Sequence, residues 1–285
     1  MAKKISLVNM KGGVGKSTLT AQLAYEFANR QTFSKRVLVI DIDPQFNVSQ
    51  YLLGPDKYEA KILNNDAPTT WNIFEQHTRI PGQPAPTPLD AESIIQHVLR
   101  PPDSNLRGGI LDLAPSRLEL AYSLRNTTQK NDLLQRFVKA VEASYDIMFI
   151  DCPPTESLFT IAAYMASDYI LIPVKPEYLS AIGLPLLSNS LDEFKSLNGS
   201  APNVAGIVYN FADGYAPEER KTKKTVKEIA GKYGWYLFEN EVPYSRSMAK
   251  SAREGKPLRW TSNARNDRII KLEEVTRELA GKIGL

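Results

Sequence analysis

A lysine, a serine and a threonine stand together at Lys16-Ser17-Thr18, directly after a stretch holding Gly12, Gly13 and Gly15. Glycine lets a backbone enter positive φ and bring successive N–H groups close to an anion. A lysine and a hydroxyl closing such a turn complete a phosphate site. The Lys16 ammonium would meet β- and γ-phosphate oxygens, and the Ser17 hydroxyl would bind Mg²⁺. Gly12, Gly13, Val14, Gly15, Lys16, Ser17 and Thr18 are therefore the candidate nucleotide-binding segment. Two carboxylates join them: Asp43 follows the apolar run Val37–Ile40, and Asp151 ends YDIMFID. In open α/β sheets ligands gather outside the carboxyl ends of strands, so both acids would face the phosphates.

Elements of the right kind surround these residues. Ile5 to Val8 reads as a strand before the glycine loop, and LTAQLAYEFANR after it reads as a helix whose unpaired N–H groups and dipole favour an anion. Val37–Ile40, the run ending at Asp151, and YILIPV are continuous apolar segments, the mark of strands buried on both faces of a parallel sheet. Asp146 is a rival to Asp151 but precedes its strand, at the other end of the sheet. Asp43-Pro44 also reads simply as a turn opening a helix capped by an acid. Ile110–Ala114 and Val204–Phe211 are further strands, and Leu133, Leu134, Phe137, Val138 and Val141 recur at helical spacing.

The chain of 285 residues can bury one large core, and 42% hydrophobic with 24% charged residues places it among ordinary globular proteins. No apolar run approaches a membrane span and no signal-peptide core opens the chain, so a cytoplasmic protein is expected. A single cysteine, Cys152, allows no intrachain disulfide and argues against a paired-thiolate cluster. His77 and His97 have no third ligand at metal spacing and read as surface or packing residues. Between Gly54 and about Arg107 the patterning dissolves; Pro81–Pro88 reads as a proline-rich loop and Ala91–Leu99 as a short helix.

The glycine loop departs from the usual phosphate-loop pattern. Met10 stands where a glycine is expected, and a second lysine, Lys11, follows it. This xKGGxGK[ST] form, with Asp41-Ile42-Asp43-Pro44-Gln45-Phe46-Asn47 and Asp151-Cys152-Pro153-Pro154, resembles the ParA/MinD family of P-loop ATPases, closest to its Soj-like partition members. The likeness covers nearly the whole chain apart from about residues 55–107. It implies one doubly wound α/β domain over residues 1–285 with a mostly parallel sheet and an irregular insertion.

The same likeness implies ATP and Mg²⁺ as ligands, with Lys11 crossing to the partner's γ-phosphate in a sandwich homodimer. It assigns Asp43 to switch I, near Mg²⁺, placing the attacking water, and Asp151 to Mg²⁺ through water. Asn210 falls where relatives read the adenine edge, and Pro243 where the base packs. A strand-terminal asparagine and a proline before a turn also need no ligand, and Lys11 also reads as a solvated loop lysine. Glu177-Tyr178 falls near the dimer face of relatives.

Between Pro217 and Arg259, eleven lysines and arginines stand against six glutamates, a local surplus above the whole chain's net charge of +3. Lys223, Lys224, Lys227, Arg246, Lys250 and Arg253 lie here, the last three on one helical face. The resemblance implies non-specific double-stranded DNA as partner, contacted through phosphates, and thus a nucleoid-associated location. A solvated lysine-rich helix is the alternative. A ParB-type centromere-binding or adaptor protein would stimulate hydrolysis. The rival is a MinD-like membrane-cycling ATPase, and a second is a metabolic enzyme of amidotransferase or ligase kind. Glu273, Glu274 and Glu278 interrupt the polar face of RIIKLEEVTRELAGKIGL, so packing onto the domain is expected, without stable membrane binding.

Overall fold

The apolar runs form the middle of the sheet in the computed structural model, which describes residues 1–75, 90–100, 109–212, 217–262 and 264–285. In chain order the strands are β1 (Lys3–Leu7), β2 (Arg36–Asp41), β3 (Gln96–Leu99), β4 (Ile110–Ala114), β5 (Ile147–Asp151), β6 (Tyr169–Val174), β7 (Asn203–Ala212) and β8 (Val242–Pro243). Their spatial order is β3-β4-β2-β5-β1-β6-β7-β8. All neighbours pair in parallel except β3 with β4. β2, β5 and β6 are buried over all but at most their first residue, as runs without alternation require.

Ten α-helices among the described residues flank the strands: α1 (Lys16–Ala28), α2 (Asn47–Leu53), α3 (Pro55–Tyr58), α4 (Thr70–Glu75), α5 (Leu133–Val141), α6 (Leu158–Ala166), α7 (Gly183–Asn198), α8 (Pro217–Tyr233), α9 (Arg246–Glu254) and α10 (Asn266–Ile283). Alternate strand residues feed two cores. Ile5, Leu7, Val37, Val39 and Phe149 pack with α1, α2 and α10 on one face. Leu38, Ile40, Met148, Ile150 and Ile172 pack with α5, α6 and α7 on the other. Leu272, Val275, Leu279 and Ile283 of α10 are fully buried, so its apolar stripe is spent on the domain; Ile270 faces outward.

Two expectations change. Ala91–Leu99 is not an α-helix: a 3₁₀ turn at Ala91–Ile94 leads into β3, antiparallel to β4, with Gln96 opposite Leu113. Ile94, Ile95 and Val98 are β-branched, and the otherwise open edge of β4 offers ladder partners that a helix cannot use. Residues 55–75 are also more regular than expected. α3 continues into a π-helix at Glu59–Asn64, and α4 follows. The loop Pro81–Pro88 and His77 lie outside the described residues. His97 is a surface residue, its ring nitrogen 2.9 Å from an Asp112 carboxylate oxygen.

Candidate nucleotide site

β1 delivers its chain into the glycine loop, and Gly15, at φ +81°, makes the left-handed turn that starts α1. A Cβ there would fall 2.4 Å from both Asn210 Nδ2 and the Phe211 ring, so only glycine fits. Asn9, to which the spacing of the motif gives no role, organises the loop. Its Nδ2 donates to the Pro173 carbonyl at 2.8 Å, and its Oδ1 accepts the Lys11 N–H at 2.9 Å. Lys16 is buried and curls back over the turn, donating to the carbonyl oxygens of Asn9 at 3.1 Å and Lys11 at 3.2 Å. Burial lowers its pKa, and the charges of Asp151 and Asp43 oppose that shift.

A cleft of about 660 Å³ opens over the loop. Gly12, Gly13, Gly15, Lys16, Ser17, Thr18 and Asp43 line it, together with the apolar Phe211, Tyr244, Met248, Ala249 and Ala252. Polar groups that suit phosphates thus adjoin surface that suits a flat base. The apolar part of the lining is legible in the sequence only by adjacency: Phe211 and Tyr244 directly follow Asn210 and Pro243. Those two stand behind the cleft rather than on it. Asn210 is fully buried, with Nδ2 donating to the carbonyls of Val14 at 2.9 Å and Gly15 at 3.1 Å, while its Oδ1 has no partner. Val14 turns its side chain inward, and Pro243 is buried in β8.

The acids converge as expected. Asp41 and Asp151 end neighbouring strands in register, and Asp43 lies two residues beyond β2. Asp43 is buried against the cleft, its Oδ1 accepting the Gln45 N–H at 2.9 Å. Burial raises its pKa, opposed by that N–H and by Lys16. Asp151 is fully buried, its Oδ1 accepting from the Thr20 hydroxyl at 3.0 Å. Burial pushes its pKa up to about 7; Ser17 beside it pulls the other way and Asp43 adds to the rise. Asp146 sits at the opposite end of the sheet, paired with Arg36 at 2.8 Å.

Asp151 Oδ2 is buried without a hydrogen-bond partner. An orphaned carboxylate oxygen beside Ser17 fits a hard cation, whose presence would also remove the strain of a buried charge. Among the described residues no three His, Cys, Asp or Glu side chains converge to hold a metal unaided. A cation here would share its ligands with phosphate and water, which is the habit of Mg²⁺.

Lys11 points away from the cleft. Its Nζ donates to Ser180 Oγ at 3.2 Å and lies 3.7 Å from a Glu177 carboxylate oxygen. The basic residues divide. Arg246, Lys224 and Lys227 are exposed. Lys250 is partly exposed, bonded to Ser262 and 3.8 Å from Glu254. Arg253 lines the nucleotide cleft. Lys223 does not join a free basic face: it is ion-paired with Glu219 at 2.8 Å and Glu241 at 2.6 Å, above the Tyr209 ring. Its charge is thus matched locally by two glutamates. Arg259, counted in the basic surplus, is likewise bound to Glu26 and Glu273.

α9, which carries Arg246, Lys250 and Arg253, is anchored to both helices of the site. Gln22 of α1 donates to Tyr51 Oη of α2 at 2.8 Å and to Ser251 Oγ of α9 at 3.0 Å, and accepts the Leu258 N–H at 3.1 Å. Tyr51 Oη donates onward to the Met248 carbonyl at 3.0 Å.

A protein-family model described as an AAA domain (AAA_31) matches residues 2–201. The chain is 29% identical to the chromosome partitioning protein ParA of Myxococcus xanthus, over 89% of this chain and 80% of that one. It is 27% identical to the sporulation initiation inhibitor protein Soj of Bacillus subtilis, over 90% of each. Among solved structures, an ATP complex of a McdA variant from Cyanothece superposes with a TM-score of 0.76 at 18% identity, over 100% of this chain and 97% of that one. That likeness is one of fold.

Proposed function

The chain belongs to the AAA domain family (AAA_31), and from that premise we propose that it is a ParA/MinD-type P-loop protein, a ParA-type positioning ATPase that hydrolyses ATP to ADP and phosphate. The observation that carries the reading is the convergence, on one cleft, of the glycine loop, Lys16 and Asp43, with the unpartnered Asp151 oxygen close by.

The cleft sorts the two halves of its substrate. Loop N–H groups and the α1 N-terminus take the phosphates; Phe211, Tyr244 and the Met248–Ala252 side of α9 take the base, with Asn210 Oδ1 and Pro243 next to them. Lys16 exchanges its two loop carbonyls for phosphate oxygens, a charge-assisted contact that is stronger than those it leaves. Asp43 orients the attacking water in line with the leaving oxygen. Ser17, and through water Asp151 and Asp43, would hold Mg²⁺, which would neutralise phosphate charge. Most of the rate enhancement comes from positioning and electrostatics, because phosphoryl transfer asks little covalent chemistry of the protein.

Lys11 leaves Ser180 and Glu177 to reach the γ-phosphate in a partner subunit, which makes ATP the glue of a homodimer. Dimerisation doubles the basic surface of α8 and α9. Doubling weak phosphate contacts gives avidity without any new contact type, so nucleotide state switches non-specific DNA binding. A ParB-type partner stimulates hydrolysis and release, and the cycle positions a cargo on the nucleoid. The MinD-like alternative needs a free basic amphipathic segment, whereas α10 places its apolar stripe in the domain.

The test is retention on non-specific duplex DNA and co-sedimentation with anionic liposomes, each with ATP and with ADP, while dimerisation is followed by light scattering. ATP-dependent dimers retained on DNA are expected. Dimers that sediment with liposomes and ignore DNA would replace this reading by the membrane-cycling one.

A further inference from the structure

Residues 55–75 directly follow the catalytic turn and α2, and they brace that turn at two points. The first is Phe46, inside the Asp43-Pro44-Gln45-Phe46-Asn47 turn. Phe46 holds φ +45°, left-handed backbone that a side chain with a Cβ disfavours, and it caps α2 from that conformation. Its ring lies flat on the ring of Tyr58 at the end of α3, with centroids 5.3 Å apart and planes 7° from parallel. Tyr58 is 1% exposed, so the stack rests on a side chain that is itself fixed.

The second point runs through the Tyr58 hydroxyl, which donates to the Ser116 carbonyl at 2.9 Å. The Ser116 N–H donates to Ser49 Oγ at 2.9 Å, and Ser49 Oγ donates to Asp41 Oδ2 at 2.6 Å. Asp41 in turn accepts the Ser49 N–H on Oδ2 and the Asp43 N–H on Oδ1, both at 3.0 Å. Ser49, Ser116 and Asp41 are all fully buried. The contacts therefore close a loop: Tyr58 to Ser116, Ser49, Asp41 and Asp43, then along the turn to Phe46 and back to Tyr58. A buried polar chain with donors and acceptors matched is stiff, and a left-handed phenylalanine stays in place only when its surroundings hold it.

We propose that Tyr58 is a positioning residue for switch I, bracing the turn that carries Asp43 from its ring side and its hydrogen-bonded side together. The segment containing α3 is on this view a fixed support for hydrolysis. The inference rests on the reading of Asp43 as the residue that places the water.

Steady-state ATP turnover of the full chain with Mg²⁺ tests it. Tyr58→Leu should lower kcat about tenfold, since small misplacements of a reacting group are costly, while KM for ATP stays within about twofold. Tyr58→Phe, which keeps the stack and loses only the bond to Ser116, should fall between wild type and Tyr58→Leu, since one of the two braces remains. Phe46→Gly removes the ring from the other side with a residue at home in left-handed backbone. Glycine takes that backbone without strain, so the variant should fold, and it should lose kcat as Tyr58→Leu does. In single-turnover hydrolysis the Asp43→Ala/Tyr58→Leu double variant should be no slower than Asp43→Ala alone.

Wild-type kcat in Tyr58→Leu or Phe46→Gly, a loss confined to KM, or a further tenfold drop in the double variant would each overturn the proposal. If Asp43→Ala itself turns over normally, the catalytic reading of Asp43 fails instead. A dead Asp43→Ala beside a normal Tyr58→Leu removes only the role of Tyr58.

Discussion

Asn210 donates its side-chain amide to the Val14 carbonyl at 2.9 Å, tying the end of β7 to the middle of the glycine loop. The same nitrogen reaches the Gly15 carbonyl at 3.1 Å. The asparagine thus acts on the phosphate loop from beneath, whatever its free Oδ1 does for the base.

Removing that tie takes the side-chain donor from the Val14 carbonyl, at about 1–3 kcal/mol, while the Gly15 carbonyl keeps the Leu19 N–H at 2.9 Å. Asn210→Ala should therefore weaken ATP binding by about tenfold or more. Titration with a fluorescent ATP analogue measures it. Affinity unchanged from wild type would show that the loop holds its shape without Asn210.

Lys16→Ala should abolish nucleotide binding, because no other side chain can replace its contact with both phosphates. Asp43→Ala should bind ATP with near-native affinity and turn over at least about a hundredfold more slowly. It should also accumulate as a dimer on DNA. Lys11→Ala should bind ATP yet stay monomeric in light scattering. A Lys11→Ala protein that dimerises with ATP would remove the trans contact.

Burial raises Asp151 to about pH 7 in the metal-free chain. A carboxyl that holds its proton more tightly folded than unfolded favours folding at low pH. That advantage is lost as pH rises from the unfolded value near 4 through about 7. Asp151→Asn cannot ionise, so without Mg²⁺ it should melt above wild type at pH 8, by roughly 5 °C. The gap should narrow by pH 5 and close near pH 4. Equal melting curves at pH 8 would mean Asp151 finds solvation in the folded state.

Arg246→Ala with Lys250→Ala should lower DNA affinity and reduce the slope of log K against log salt by about one for each phosphate no longer neutralised. Lys223→Ala should leave that slope unchanged, because Glu219 and Glu241 already neutralise the lysine. A larger loss of slope from Lys223 than from the α9 pair would move the DNA surface to α8.

Gly255 ends α9 at φ +59°, where a Cβ would stand 2.9 Å from the Gly54 nitrogen. Gly255→Ala should cost roughly 1–3 kcal/mol of stability and shift the α9 wall of the cleft. Thermal melting and ATP affinity should fall together. A stable variant with normal ATP binding would show that α9 can move without disturbing the site.

Much of the site was legible because its chemistry is local. Glycines, a lysine and a hydroxyl in one turn, and acids at the ends of continuous apolar runs, carry their geometry in spacing alone. Asp43, Asp151 and the loop all arrive at one end of the sheet because parallel strands put their carboxyl ends together. Helix faces such as Leu133 to Val141 follow the same logic of periodicity.

Other features depended on contacts between segments far apart in the chain. Ile94–Leu99 reads equally as helix or strand until the open edge of β4 decides it. Lys223 and Lys227 are alike in sequence, but only the first meets Glu241 across the turn from α8 to β8. Phe211 and Tyr244 form one wall only when β7 and β8 pair, and Tyr58 meets Phe46 only when α3 folds back over the catalytic turn. The pattern of residues determined which groups could do chemistry and toward which end of the sheet they would point. Tertiary packing decided which charges were left free and what holds the catalytic turn in place, because ion pairing and burial depend on neighbours in space, and local spacing does not specify those neighbours.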